Sequence, residues 1–104
     1  VYIAQYGMTE KRRNNRQVFT EKVRLSWTDN QGLFRSINVA GIDISATGMR
    51  VRSRDPLPSQ IYVQLESGSK RLSGTARVRY CTPRGMDYIL GLEFSGGLCW
   101  TPDS

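Results

Sequence analysis

Two short strings hold the residues whose types and spacing suit chemistry best. Arg12-Arg13-Asn14-Asn15-Arg16 reads R-x-x-x-R, and Asp43-Ile44-Ser45-Ala46-Thr47-Gly48 reads D-x-S-x-x-G. A guanidinium fork bonds a phosphate, or the O6/N7 edge of guanine, through two parallel donors. A carboxylate accepts from the guanine N1–H and N2 amino group. The two strings are therefore complementary halves of a site for an anionic guanine nucleotide. Each is weak alone: basic clusters occur in linkers and solvated loops, and Asp and Ser before Gly are ordinary turn chemistry. Order, gap and context together carry the reading.

The charge balance fits a polyanionic ligand. Fifteen Lys+Arg face nine Asp+Glu, a net +6, and four of those cations lie between Lys11 and Arg16. Three more alternate at Arg50, Arg52 and Arg54. Net charge alone does not choose among nucleic acid, acidic lipid and nucleotide. The chain has no histidine, which excludes a histidine-containing metal site or catalytic triad. No P-loop, dinucleotide fingerprint or paired-carboxylate site is present, so the chain reads as a binding module rather than an enzyme. Cys81 and Cys99 lack C-x-x-C spacing and read as two separate thiols.

The elements that must position these strings read as strands. Val23, Leu25 and Trp27 alternate with Lys22, Arg24 and Ser26, the period of a half-buried strand, and Asp29-Asn30-Gln31-Gly32 is a turn. A second strand runs from Phe34 to Ile44 with an irregularity expected at Gly41. Ser45 to Gly48 turn the chain into a third, Met49 to Ser53, whose outward face carries Arg50 and Arg52. Asp55-Pro56-Leu57-Pro58 breaks it. Ile61, Val63 and Leu65 mark a fourth strand, and Leu72, Gly74, Ala76 and Val78 a fifth, ending at Thr82-Pro83-Arg84-Gly85. Leu90, Leu92 and Phe94 mark a sixth, stopped by Gly96-Gly97. Six short strands with turns every eight to twelve residues predict an all-β barrel or sandwich. At 104 residues this is one domain. It divides into a tail at 1–10, which carries Tyr2, Ile3 and Tyr6, a barrel with its arginine arm at 11–95 (the arm being 11–17), and a second tail at 96–104. No apolar run is long enough for a transmembrane helix and no signal-peptide pattern is present. The start at Val1 suggests a domain cut from a longer protein, or a processed product.

With the two strings and the strand pattern in hand, the sequence resembles the PilZ family of cyclic di-GMP receptors over about residues 11–95. Gly91-Leu92-Glu93-Phe94 is similar to that family's closing strand, and Ala76-Arg77-Val78-Arg79-Tyr80 to the strand before it. The resemblance implies a six-stranded antiparallel barrel with a flexible N-terminal arm that wraps over the nucleotide. It assigns Arg12 and Arg16 to the phosphodiesters or a guanine fork, and Asp43 to a guanine edge or to holding an arginine. Ser45 would bond the ligand at close range, and Gly48 would supply a positive φ or close approach. Lys11 and Arg13 add charge. Lys11 precedes the first arginine, a position tied to whether one cyclic di-GMP or a stacked pair binds, and its long cation suits the pair. Arg79 either stacks on a guanine face or points into solvent.

The implied function is a regulatory domain that binds cyclic di-GMP, orders its arm and relays the change to an adjoining domain or protein partner, for example in polysaccharide export or motility. The implied setting is the bacterial cytoplasm. Two alternatives remain at this stage. One is a basic barrel binding single-stranded nucleic acid. The other is a PilZ-like domain given over to protein interaction.

Overall fold

The computed structural model describes residues 16–100. The expected tail at 1–10 and most of the arm, including Lys11, Arg12 and Arg13, lie outside the described residues. Seven strands follow one another: β1 (Gln17–Val18), β2 (Lys22–Thr28), β3 (Phe34–Ile44), β4 (Gly48–Ser53), β5 (Tyr62–Ser67), β6 (Leu72–Arg84) and β7 (Asp87–Trp100). They hydrogen-bond in the order β1-β3-β2-β5-β6-β7-β4, and a further β3–β4 pairing closes β2 to β7 into a six-stranded barrel. Every pairing is antiparallel. Of the two architectures the alternation allowed, barrel or sandwich, the fold observed is the barrel, six-stranded and antiparallel as the resemblance implies, with β1 as an addition.

Alternation decides what lies inside. Val23 and Leu25 of β2 face Val39 of β3, Val51 of β4, Val63 and Leu65 of β5, Leu72 and Val78 of β6, and Leu90 and Leu92 of β7 in one buried cluster. Burying each such side chain contributes about 1.5–3 kcal/mol. Trp27 and Trp100 pack at its edge. Cys81 and Cys99 are free thiols.

Two irregularities re-aim side chains. The β3–β4 register runs Ala40↔Arg52 and Gly41↔Val51, then Asp43↔Arg50 and Ile44↔Met49, so Ile42 is an extra residue. Without that bulge Asp43 would share the inward parity of Val39; with it, Asp43 stands beside Arg50 on the outer face. Gly41 is where residues 19–21 cross: Gly41 N–H donates to the Glu21 carbonyl, Phe19 N–H donates to the Ile42 carbonyl, and a Cβ on Gly41 would fall on the Phe19 carbonyl oxygen. The second bulge lies in β6, where Val78↔Leu92 is followed by Tyr80↔Gly91, leaving Arg79 as the extra residue.

Three boundaries differ from the sequence reading. Gln17, placed in the arm, pairs with Ile44 in β1. Thr82-Pro83-Arg84 do not end β6 early but continue it as a ribbon to the Arg84↔Asp87 pair. Gly96-Gly97 do not stop β7: they sit opposite register shifts around Thr75, the strand bends there, and it runs on to pair Cys99 with Ser73 and Trp100 with Leu72. Residues 96–100, read as the start of a tail, are strand.

Candidate functional site

One transverse row of the barrel assembles the site. The registers Val18↔Asp43, Asp43↔Arg50, Arg50↔Gly91 and Gly91↔Tyr80 place these residues side by side across β1, β3, β4, β7 and β6. Both bulges feed this row. A shallow cavity of about 300 Å3 lies over it, lined among others by Arg16, Thr47, Arg50, Arg79, Tyr80 and Glu93.

Asp43 is the hub. It is only 8% exposed, and two guanidinium groups from different segments converge on its carboxylate. Arg16 Nε donates to Oδ1 at 2.9 Å. Arg50 Nε donates to both oxygens, at 3.2 Å and 3.0 Å, and its Nη2 also donates to Oδ2. Burial pushes the Asp43 carboxyl up, but the hydrogen bonds from Arg50 and Arg16, with their charges, outweigh it and hold the group below its ordinary value. Arg50 is correspondingly raised, first by its bond to Asp43 and against partial burial, with a smaller contribution from Tyr80.

Ser45 holds the turn that follows. It is 1% exposed; its N–H donates to the Gly48 carbonyl at 2.8 Å, and its Oγ accepts from Thr47 N–H at 3.3 Å and from Arg16 Nη1 at 3.5 Å. On the far side, Glu93 accepts from Arg77 Nη2 at 2.7 Å and lies 3.3 Å from Arg79 Nη1. The Arg77 bond chiefly, with the Arg79 charge, lowers the Glu93 carboxyl. Tyr80 lays its ring over Gly91, where any Cβ would collide with it.

Of the residues singled out in the sequence, Arg16, Asp43 and Ser45 meet directly. Arg79 stands across the same cavity, half exposed and paired to Glu93. Gly48 lines the cavity but takes no positive φ; its missing side chain makes room for the Leu92 carbonyl oxygen, a β4–β7 packing need. Asp43 stands on the outer face, outside the apolar core, yet is buried within its ion pairs. Arg50, read as a plain outward residue, is a main partner of Asp43. A signal for it existed: a hairpin pairing Ile44 with Met49 necessarily sets Asp43 opposite Arg50. Tyr80 carried no such signal, because its place opposite Gly91 depends on the β6 bulge.

The arrangement offers cations held in place by carboxylates, an aromatic ring and a hydroxyl around a shallow open floor. Such a surface suits an anion with a planar group, and its lining presents no nucleophile with an activating base. No curated protein sequence matches the chain. Among solved structures, the Bacillus subtilis inhibitor of motility (MotI/DgrA) is similar in fold, with a TM-score of 0.60 at 21% identity over 84% of this chain. That match takes in 43% of the other chain, so the present sequence spans less than half of its length. A model of the PilZ domain matches residues 10–98, and the chain belongs to the PilZ domain family, a family of cyclic di-GMP receptor domains.

Proposed function

We propose that this domain binds cyclic di-GMP on the row around Asp43 and acts as a regulatory module. The observation that carries the reading is the Arg16 guanidinium seated on both Asp43 and Ser45, 27 and 29 residues away in sequence. An arginine so placed has a carboxylate standing where a ligand phosphate or guanine edge would go. The messenger's two phosphodiesters draw Arg16 and Arg50 outward, while Asp43 keeps one edge of each fork or turns to the guanine N1–H and N2 amino group. Arg79 or Tyr80 faces a guanine ring. Arg12 and Arg13 supply further cations from the preceding segment, Lys11 favours a stacked pair of messengers, and Gly48 leaves the floor open.

Closure of the segment N-terminal to Arg16 over the nucleotide is the relay: it moves whatever that segment is attached to, an adjoining domain or a partner in the bacterial cytoplasm. No bond is made or broken. Calorimetric titration of the chain with cyclic di-GMP, beside Arg16→Ala and Asp43→Ala, tests the reading. Saturable binding that both substitutions weaken by tenfold or more is expected, about 1.4 kcal/mol each. No heat from the parent chain, or equal affinity in both variants and the parent, rejects it.

A further inference from the structure

We propose that the outer wall of the barrel carries a second anion site, a cleft that takes a phosphate group between Lys22, Arg52 and Arg54. It stands apart from the messenger row and does not depend on it. The registers Lys22↔Ala40 and Ala40↔Arg52 set two cations on either side of a small residue. Strands about 4.8 Å apart put those side-chain bases about 10 Å from each other, with only a methyl group between them. Asn38, two residues along β3 on the same face, adds an amide, and Arg54 extends the wall beyond β4. Together they line a cavity of about 330 Å3.

Charge pairing separates this cleft from the messenger row. There the arginines are engaged: Arg16 and Arg50 by Asp43, Arg77 and Arg79 by Glu93. In the cleft, Lys22 and Arg54 form no side-chain ion pair or hydrogen bond among the described residues. Arg52 reaches only Asp87, at 3.6 Å. The backbone beneath is fixed, because Ser53 Oγ accepts from Asp55 N–H at 3.0 Å and donates to the Asp55 carbonyl at 2.7 Å, bracketing Arg54.

Three clustered cations over an open floor favour a compact anion of high charge density. The cleft has no aromatic wall, and its one carboxylate, Asp87, lies against Arg52, so it recognises charge and not a base. A phosphate on a lipid headgroup and a phosphate on a soluble compound share this chemistry.

The test is a 1H–15N NMR titration of the 104-residue chain with inorganic phosphate against chloride at equal ionic strength, repeated with Lys22→Gln/Arg54→Gln. Sedimentation with phosphatidylglycerol or phosphatidylcholine vesicles accompanies it. Saturable shifts at Lys22, Ala40 and Arg54, with half-saturation raised about tenfold in the double variant, support the site, since removing a charge-assisted hydrogen bond at an exposed position weakens binding severalfold. Sedimentation with phosphatidylglycerol alone, abolished in the double variant, assigns the headgroup. Phosphate saturation without vesicle binding assigns a soluble phosphate compound. Absence of saturable shifts at those amides, or equal half-saturation in the double variant, overturns the proposal.

Discussion

The two ends of β3 carry the same chemistry to different purposes. At one end Asp29 accepts from the backbone N–H groups of Gln31 and Leu33 and from Arg35 Nε, all at 2.9 Å. At the other, Asp43 accepts from Arg16 and Arg50. Both are aspartates at a hairpin bonded to arginine, and both carboxyls are lowered. The largest cause at Asp29 is the Leu33 N–H, a neighbour four residues on. At Asp43 the largest influence is burial, which opposes ionisation and is overcome only by two side chains, one of them 27 residues distant. A turn aspartate satisfies itself locally. An aspartate buried under imported guanidinium groups keeps those groups aimed, and that separates a site from a turn.

The strongest way to break this comparison is to neutralise each acid in turn. Asp43→Asn leaves two half-exposed guanidinium groups without their buried anion and should lower folding stability by about 1–2 kcal/mol in urea titrations. Cyclic di-GMP affinity should fall by about a hundredfold or more, since the fork geometry of both arginines is lost. Asp29→Asn should leave that affinity unchanged. Equal affinity losses in the two variants would remove the distinction.

Acid should reproduce part of the same loss. The folded Asp43 carboxyl sits below its ordinary 3.8, so the unfolded chain takes up the proton first as pH falls. Its contribution to stability is complete above that ordinary value and disappears as pH drops through the lowered folded one. Urea midpoints measured between about pH 5 and pH 2 should therefore decline in the parent chain and decline less in Asp43→Asn. Asp29→Asn should also flatten the acid limb, because its folded value is lowered too. An Asp43→Asn slope matching the parent's would show that the carboxylate is not held low.

A smaller effect sharpens the role of the unanticipated arginine. Arg50→Ala removes one of two cations from Asp43 and leaves Arg16 in place, so affinity should drop about tenfold. Arg35→Ala, at the other end of β3, should leave calorimetric affinity within about twofold of the parent. Much of this geometry was legible beforehand, and its limits have physical causes. Period-two alternation shows which residues face the core, so the strands through Val23, Val63 and Leu90 and their inward residues could be read directly. Gly41 marked an irregularity, yet one-letter spacing does not say that Ile42 is the extra residue, and that one-residue choice decides whether the Asp43–Arg50 pair shares the inward face of Val39 or stands outside. The β6 bulge at Arg79 had no glycine to announce it, so Tyr80 was missed. Gly96-Gly97 misled in the opposite direction, since glycines that bend a long ribbon look like glycines that end one.

The mildest substitution falls on Ser45, where the motif reading expects direct ligand contact. Its hydroxyl makes only long bonds: 3.3 Å from Thr47 N–H, 3.4 Å to the Gly48 carbonyl and 3.5 Å from Arg16 Nη1. The Ser45 N–H bond to Gly48 at 2.8 Å, which needs no side chain, holds the turn more firmly. Ser45→Ala should therefore lower stability by less than about 1 kcal/mol, since only a weak neutral hydrogen bond disappears and alanine fills nearly the same volume. Affinity for cyclic di-GMP should fall about threefold if the hydroxyl bonds the messenger only as an auxiliary to Arg16 and Asp43. A loss as large as that of Asp43→Asn would make Ser45 a principal contact, and a free-state geometry dominated by long bonds would then be a hydroxyl held in reserve for the ligand.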